Sequence, residues 1–202
     1  GQRRVEEARH QHAAGLAAAV WQAVRASTEA TNARLVNGFL QGTLGSANPY
    51  VIGKRLSVIE LLDNAAAKVP SQFANRTLLA ATLHDTIGKA YFFQGDMAKA
   101  EAELRLALSI REPQLGRADP LTLESADMLG RVLRERGAWR EAGELLTLAV
   151  EGRRRLLGAT HRDTLWSLHN YAMLVFYEDA RAAEPLMREA SQGLAQLQGP
   201  NH

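Results

Sequence analysis

The chain has 202 residues, 24 basic against 22 acidic side chains, and a formal net charge of +2. That length holds one ordinary domain, or at most two, with enough chain to bury a real core. It has no cysteine, which excludes a disulfide framework, a thiolate zinc site and a cysteine nucleophile. So small a charge is no footprint of a nucleic-acid binder, although arginine far outnumbers lysine and the isoelectric point is near 9.2.

Ala, Leu, Glu and Arg dominate and β-branched residues are sparse, which is helix composition. The first thirty residues read as one proline-free helix. Val5, Ala8, Ala13, Leu16, Val20 and Val24 share a broad apolar face, with Glu7, Arg25 and Glu29 opposite and Arg9 and His12 interrupting it. Its apolar stretch, Ala13 to Val24, falls short of the roughly 20 residues a membrane span needs. This segment, 1–30, is expected to be a cap or a connector, or to pair with a second copy. Residues 31–76 read as a degenerate helix pair with a loop from Gly42 to Pro49. Ser57 is placed to cap a helix from Val58 to Lys68, and Pro70 to end it.

Beyond residue 76 the chain repeats itself. Gly88 and Gly130 are 42 residues apart, as are Gly95 and Gly137, Ala100 and Ala142, Leu104 and Leu146, and Ala107 and Ala149. Leu115-Gly116 recurs as Leu157-Gly158, and Thr122-Leu123 as Thr164-Leu165. A third copy follows with one residue deleted, taking Ala142 to Ala183 and Ala149 to Ala190. A fixed period of this kind signals stacked units, here 77–116, 117–158 and 159–199. Each unit reads as two helices: the first stops at a glycine such as Gly95, and Asp96 caps the second. Gly and Ala are expected where paired helices approach closest. Gly116 is expected in the left-handed conformation that closes a helix, and Pro120 in a first turn.

The Gly88–Tyr91–Ala100–Leu104–Ala107 pattern resembles a tetratricopeptide repeat. The 42-residue period and the run Leu157-Gly158-Ala159-Thr160-His161-Arg162-Asp163-Thr164-Leu165 are similar to the kinesin-light-chain variety, whose usual form is Leu-Gly-x-x-His-Pro-Asp-Thr-Leu. Arg162 stands for the proline, and in the preceding copy Asp119 stands for the histidine. The resemblance implies an all-α, right-handed superhelical solenoid with three clear helix pairs, preceded by the degenerate pair and the long helix. It also implies a non-catalytic module that binds a protein or peptide on its concave face. A shorter stretch, Asn37-Gly38-Phe39-Leu40 to Leu61-Leu62-Asp63-Asn64-Ala65-Ala66, is similar to a segment preceding repeats in bacterial serine/threonine kinases and winged-helix regulators. That likeness suggests the sensor or interaction arm of a larger signalling protein.

No constellation for catalysis, cofactor or metal is found. Gly53-Lys54 lacks the glycine and hydroxyl of a P-loop, having Asn48 and Arg55 at those places. His10 and His12 diverge on a helix, and Glu6 with His10 suits a solvated face better than a metal. His161 and Asp163 sit where a helix opens, so they read as helix-start residues. Arg153-Arg154-Arg155 would suit phosphate but equally suits a helix C-terminus and solvent.

Binding is the class of function left. Counting from the core positions, the free side of the first helices carries Thr82, Asp85, Lys89, Phe92 and Phe93 in one unit. The next offers Glu124, Asp127, Arg131, Arg134 and Glu135, and the last Trp166, His169, Asn170, Met173, Phe176 and Tyr177. Aromatic and methionine side chains beside a charged strip suit a peptide groove, and a covering repeat is the alternative. Two other classes compete, an oligomerisation array and a DNA- or RNA-associated regulator segment, with nucleic acid the less favoured partner. Self-association is placed at the N-terminal helix or the C-terminal end. Gly199-Pro200-Asn201-His202 aligns with Gly158-Ala159-Thr160-His161, so the parent array is expected to continue.

Overall fold

The computed structural model describes residues 27, 30–39, 41–43 and 57–198. The chain divides into two compact units, Gly1–Ser57 and Val58–His202. In the first, the described stretches 30–39 and 41–43 are helical and Phe39 is buried. The loop expected from Gly42 is corrected at its start, since Gly42 and Thr43 are helical; its remainder, most of the helix expected over 1–30 and the junction expected at 199–202 lie outside the described residues.

The second unit contains α1 (Val58–Gln72), α2 (Thr77–Phe93), α3 (Met97–Leu115), α4 (Pro120–Glu135), α5 (Trp139–Leu157), α6 (Arg162–Glu178) and α7 (Ala180–Gln198). Each helix packs on the next, and α2, α4 and α6 touch in succession. No strand occurs among the described residues. The helices therefore form the stacked pairs of an α-solenoid.

Capping residues set the helix starts. The Asp96 carboxylate accepts from the Lys99 amide at 3.1 Å and opens α3. Asp119 accepts from Leu121 at 2.9 Å and sets Pro120 in the first turn of α4. The His161 ring accepts from Asp163 at 3.2 Å and opens α6. Asp179 accepts from Arg181 and Ala182, opening α7. Each of these side chains satisfies an amide the helix leaves free.

Two local expectations are corrected. Pro70 does not stop α1, which runs on to Gln72, with the Phe73 amide still bonded to the Val69 carbonyl at 3.0 Å. Val69 and Phe73 are both buried, and that burial holds the helix past the bond proline forgoes. Gly116 and Gly158 have positive φ, 90° and 91°, but ψ is 161° and 162°, far from the left-handed helical value. The chain leaves α3 and α5 fully extended through a region open essentially to glycine.

Packing explains the small residues. A Cβ on Gly88 would lie 2.7 Å from Leu104 Cγ and 3.2 Å from the Ala100 carbonyl; on Gly130 it would lie 2.7 Å from Leu146 Cγ. Leu104 and Leu146 are wholly buried in the spaces these glycines leave. The reverse exchange occurs at the other end of the pair: Gly152 and Gly193 make room for Leu123 and Leu165. At the same register the first pair holds Ala81 and Ile110, so bulk moves from one helix to the other while the fit is kept.

A polar staple crosses two junctions. Arg111 of α3 donates to the Ser125 hydroxyl at 2.7 Å and to the Leu121 carbonyl at 3.0 Å, and lies 3.2 Å from Asp85 of α2. Ser125 in turn donates to Asp85 at 2.9 Å. Forty-two residues on, Arg153 donates to Ser167 at 2.6 Å and to the Asp163 carbonyl at 3.3 Å, with Asp127 at 3.7 Å. One guanidinium thus ties two successive first helices to the second helix between them. In the third pair the corresponding positions hold His169 and Leu194, which cannot make the staple.

Candidate functional surface

The side chains singled out on the first helices fall into three groups. Asp85, Asp127 and Asn170 are buried. Asp85 serves the Arg111 staple and also meets Lys89 Nζ at 2.5 Å; Asp127 accepts from Asn170 Nδ2 at 3.0 Å. These three hold α2, α4 and α6 in register.

A second group is partly exposed and bridges helices. Lys89 of α2 reaches Glu124 of α4 at 2.5 Å. Burial opposes the lysine charge, but the Asp85 and Glu124 carboxylates outweigh it and hold Lys89 above its usual value. The Arg131 guanidinium of α4 lies 4.9 Å from the Phe92 ring centre of α2, within cation–π range. Arg134 donates to the Asn170 carbonyl of α6 at 3.4 Å and to Glu135 at 2.7 Å. The Nε atoms of Arg131 and Arg134, and Oδ1 of Asp127, are buried without a hydrogen-bond partner. Burial first, then the charges of Arg134 and Arg131, push the His169 pKa below its usual value. A positive field, only partly answered by Glu135 and Asp127, therefore acts on His169 between α4 and α6.

The third group is exposed and largely apolar. Phe93, Trp166, Phe176 and Tyr177 are 74%, 44%, 48% and 59% exposed. Phe93 meets Phe92 edge to face at 5.5 Å, and Trp166 meets His169 likewise at 5.7 Å. Met173 is half-buried on α6. Tyr177 packs on Trp139 of α5 at 5.1 Å, a residue the sequence reading did not include. The structure thus joins Phe92 to Arg131, and joins His169 to Trp166 and both arginines. Arg111, Ser125 and Ser167 were also missed, and Arg153 was read only as part of the arginine run, though each pair recurs at 42 residues and that spacing was the available signal.

The arginine run at the end of α5 is engaged within the molecule. Arg153 serves the second staple, Arg154 meets Glu189 at 3.0 Å, and Arg155 meets Glu151 at 2.8 Å. Among the described residues no cluster of three or more metal-ligating side chains is found, and no helix is long and apolar enough to cross a membrane.

Stacked helix pairs held by recurring glycine contacts and side-chain staples, with an exposed row of first helices, define a repeat solenoid. The chain belongs to the tetratricopeptide repeat family, whose model matches residues 78–153 and 129–196. Its fold is that of kinesin-light-chain-type repeats. Two solved structures of a Podosopora anserina kinesin light chain with nearly identical TPR-like repeats, one a single-substitution form, are similar to it at TM-scores of 0.53 and 0.54. Each is 24% identical over 69% of this chain, which in turn covers 67% and 66% of theirs. No curated protein matches the chain. An array of this family is a protein-interaction or scaffold module, and its fold is generally a non-catalytic one.

Proposed function

We propose that the exposed side of α2, α4 and α6, the concave face of the array, binds a segment of a partner protein, and that this chain is the interaction or sensor region of a larger bacterial signalling protein. The observation that carries the binding reading is the pair Arg131 and Arg134. Their charges act together on His169, and Phe92 lies over Arg131 while Trp166 lies beside His169. Two neighbouring guanidinium groups flanked by apolar rings suit a peptide that presents a carboxylate next to large apolar side chains. The buried Asp85, Asp127 and Asn170 position the helices, and Lys89, Phe92, Phe93, Trp166, His169, Met173, Phe176 and Tyr177 meet the ligand.

The test is selection from a display library of random 12-residue peptides, followed by titration of the winners. Enrichment of acidic residues beside aromatic or aliphatic ones is expected. Arg131→Ala with Arg134→Ala, and separately Phe92→Ala with Phe176→Ala, should weaken selected peptides at least about tenfold while helicity is kept. Peptides that bind both double variants as well as the parent would sink the reading.

A further inference from the structure

The two unit junctions differ at one place, and the internal repeat shows how. Between α3 and α4, Arg136 reaches Glu101, while Arg105 meets Glu101 at 2.8 Å and clasps Glu141 through two nitrogens at 2.6 and 2.7 Å. Forty-two residues on, Glu101 becomes Gly143, Arg105 becomes Thr147, and Arg136 becomes Glu178. What is an ion-paired junction in one unit is a cleft of about 510 Å³ in the next. Trp139, Gly143 and Thr147 of α5 line it together with Leu174, Val175 and Glu178 of α6.

Gly143 is not demanded by helix packing. A Cβ there would meet Leu174 Cδ2 at 3.4 Å, an ordinary contact, unlike the 2.7 Å clashes at Gly88 and Gly130. A glycine inside a helix is costly, and at this position its effect is to keep the cleft open. Trp139 and Tyr177 stand beside it with ring centres 5.1 Å apart, both substantially exposed. Arg140 and Glu144 at the rim are paired with each other at 3.3 Å. Glu178 makes no ion pair among the described residues.

We propose that this cleft is a binding site for an arginine side chain of a partner protein. In the preceding unit the same place is filled from within by the guanidinium of Arg136. Here the chain supplies a carboxylate, Glu178, and an aromatic wall, while the cation that lines the cleft, Arg140, is paired with Glu144 and leaves Glu178 without one. A guanidinium stacks on an indole face and donates to a carboxylate at its edge. Its methylene stem is matched by Leu174 and Val175. The site is separate from the Arg131–Arg134 surface, which calls for the opposite charge.

The experiment titrates the isotope-labelled full chain with N-acetyl-arginine methylamide, and in parallel with the lysine analogue, following the indole N–H resonance of Trp139 (identified in Trp139→Phe). A saturable displacement by the arginine probe is expected, with a weaker response to lysine. Glu178→Gln, at an exposed position, should weaken it about tenfold. Gly143→Glu with Glu178→Arg rebuilds the internal pair of the first junction and should abolish it. Arg131→Ala should leave it unchanged, which separates this site from the peptide surface. Melting curves establish that each variant is folded; if the double variant is not, Glu178→Gln decides alone. No displacement, an equal response to lysine, or a response that survives Glu178→Gln overturns the proposal.

Discussion

Arg111 heads the fully buried side chains among the described residues. A buried guanidinium persists only with its charge matched and most of its donors used: Asp85 matches the charge, Ser125 and the Leu121 carbonyl take Nη1, and only Nε goes without a partner. Arg111→Met should therefore cost about 3 kcal/mol in urea unfolding, the low end for a broken buried pair, because Lys89 still neutralises Asp85. Adding Asp85→Leu should recover at least half of that loss, since a matched apolar pair leaves no stranded charge. If the two losses simply add, the staple is not a unit. Gly88→Ala tests the other residue-level device. The added methyl gains helix propensity but meets Leu104 and the Ala100 carbonyl, so a net loss of about 1–2 kcal/mol is expected. The glycines, alanines and capping aspartates were readable from the sequence because each acts on its neighbours in the repeat. The staple was not read, because Asp85, Arg111 and Ser125 belong to three helices, and the same types scattered along a chain look like surface.

The first helices show a similar split. Helical spacing was enough to place a residue on the free side of α2, α4 or α6. It did not separate side chains that point outward from those that dive into the next helix. Asp127 and Asn170 were grouped with Phe176 on that basis, yet they bond each other under the surface. The electrostatics of α4 against α6 give a prediction of their own. The folded state holds the His169 proton less tightly than the unfolded chain, where histidine titrates near 6.5. Stability should then rise with pH through the window below about 6.5 and be lost as pH falls through it. His169→Gln should flatten that part of a melting-temperature profile, and an unchanged profile would count against the field assigned to Arg134 and Arg131. A carboxylate bound between those arginines removes the repulsion, so peptide binding on the proposed face should strengthen on acidification.

Across the molecule, the staples tie α2 and α3 to α4, then α4 and α5 to α6, but none ties the third pair onward. Stability in a stacked array is a sum of unit terms and interface terms. The second helices α3 and α5 each supply a staple arginine, whereas α7 has Leu194 at that position. Native-state hydrogen exchange should show α7 amides opening at a lower free energy than those of α3 and α5. Uniform protection from α2 to α7 would mean the staples add little to the coupling. The solenoid itself was visible in the sequence as a period. The difference between its two junctions becomes visible only when equivalent positions are compared in space.

The positive-φ glycines at 116 and 158 leave their helices along nearly identical paths, with φ and ψ agreeing within 1°. A chain cut after Gly116 and rejoined at Ala159 would meet the same backbone it left. Arg111 would find Ser167 where Ser125 had been, and the carboxylate it needs, Asp85, would travel with it. Recombination between repeated gene segments could thus add or remove one 42-residue block without creating a new interface to evolve. Length in this protein is a heritable variable that selection can adjust in whole steps, and the cleft beside Trp139 is the kind of local difference by which otherwise interchangeable blocks acquire separate tasks.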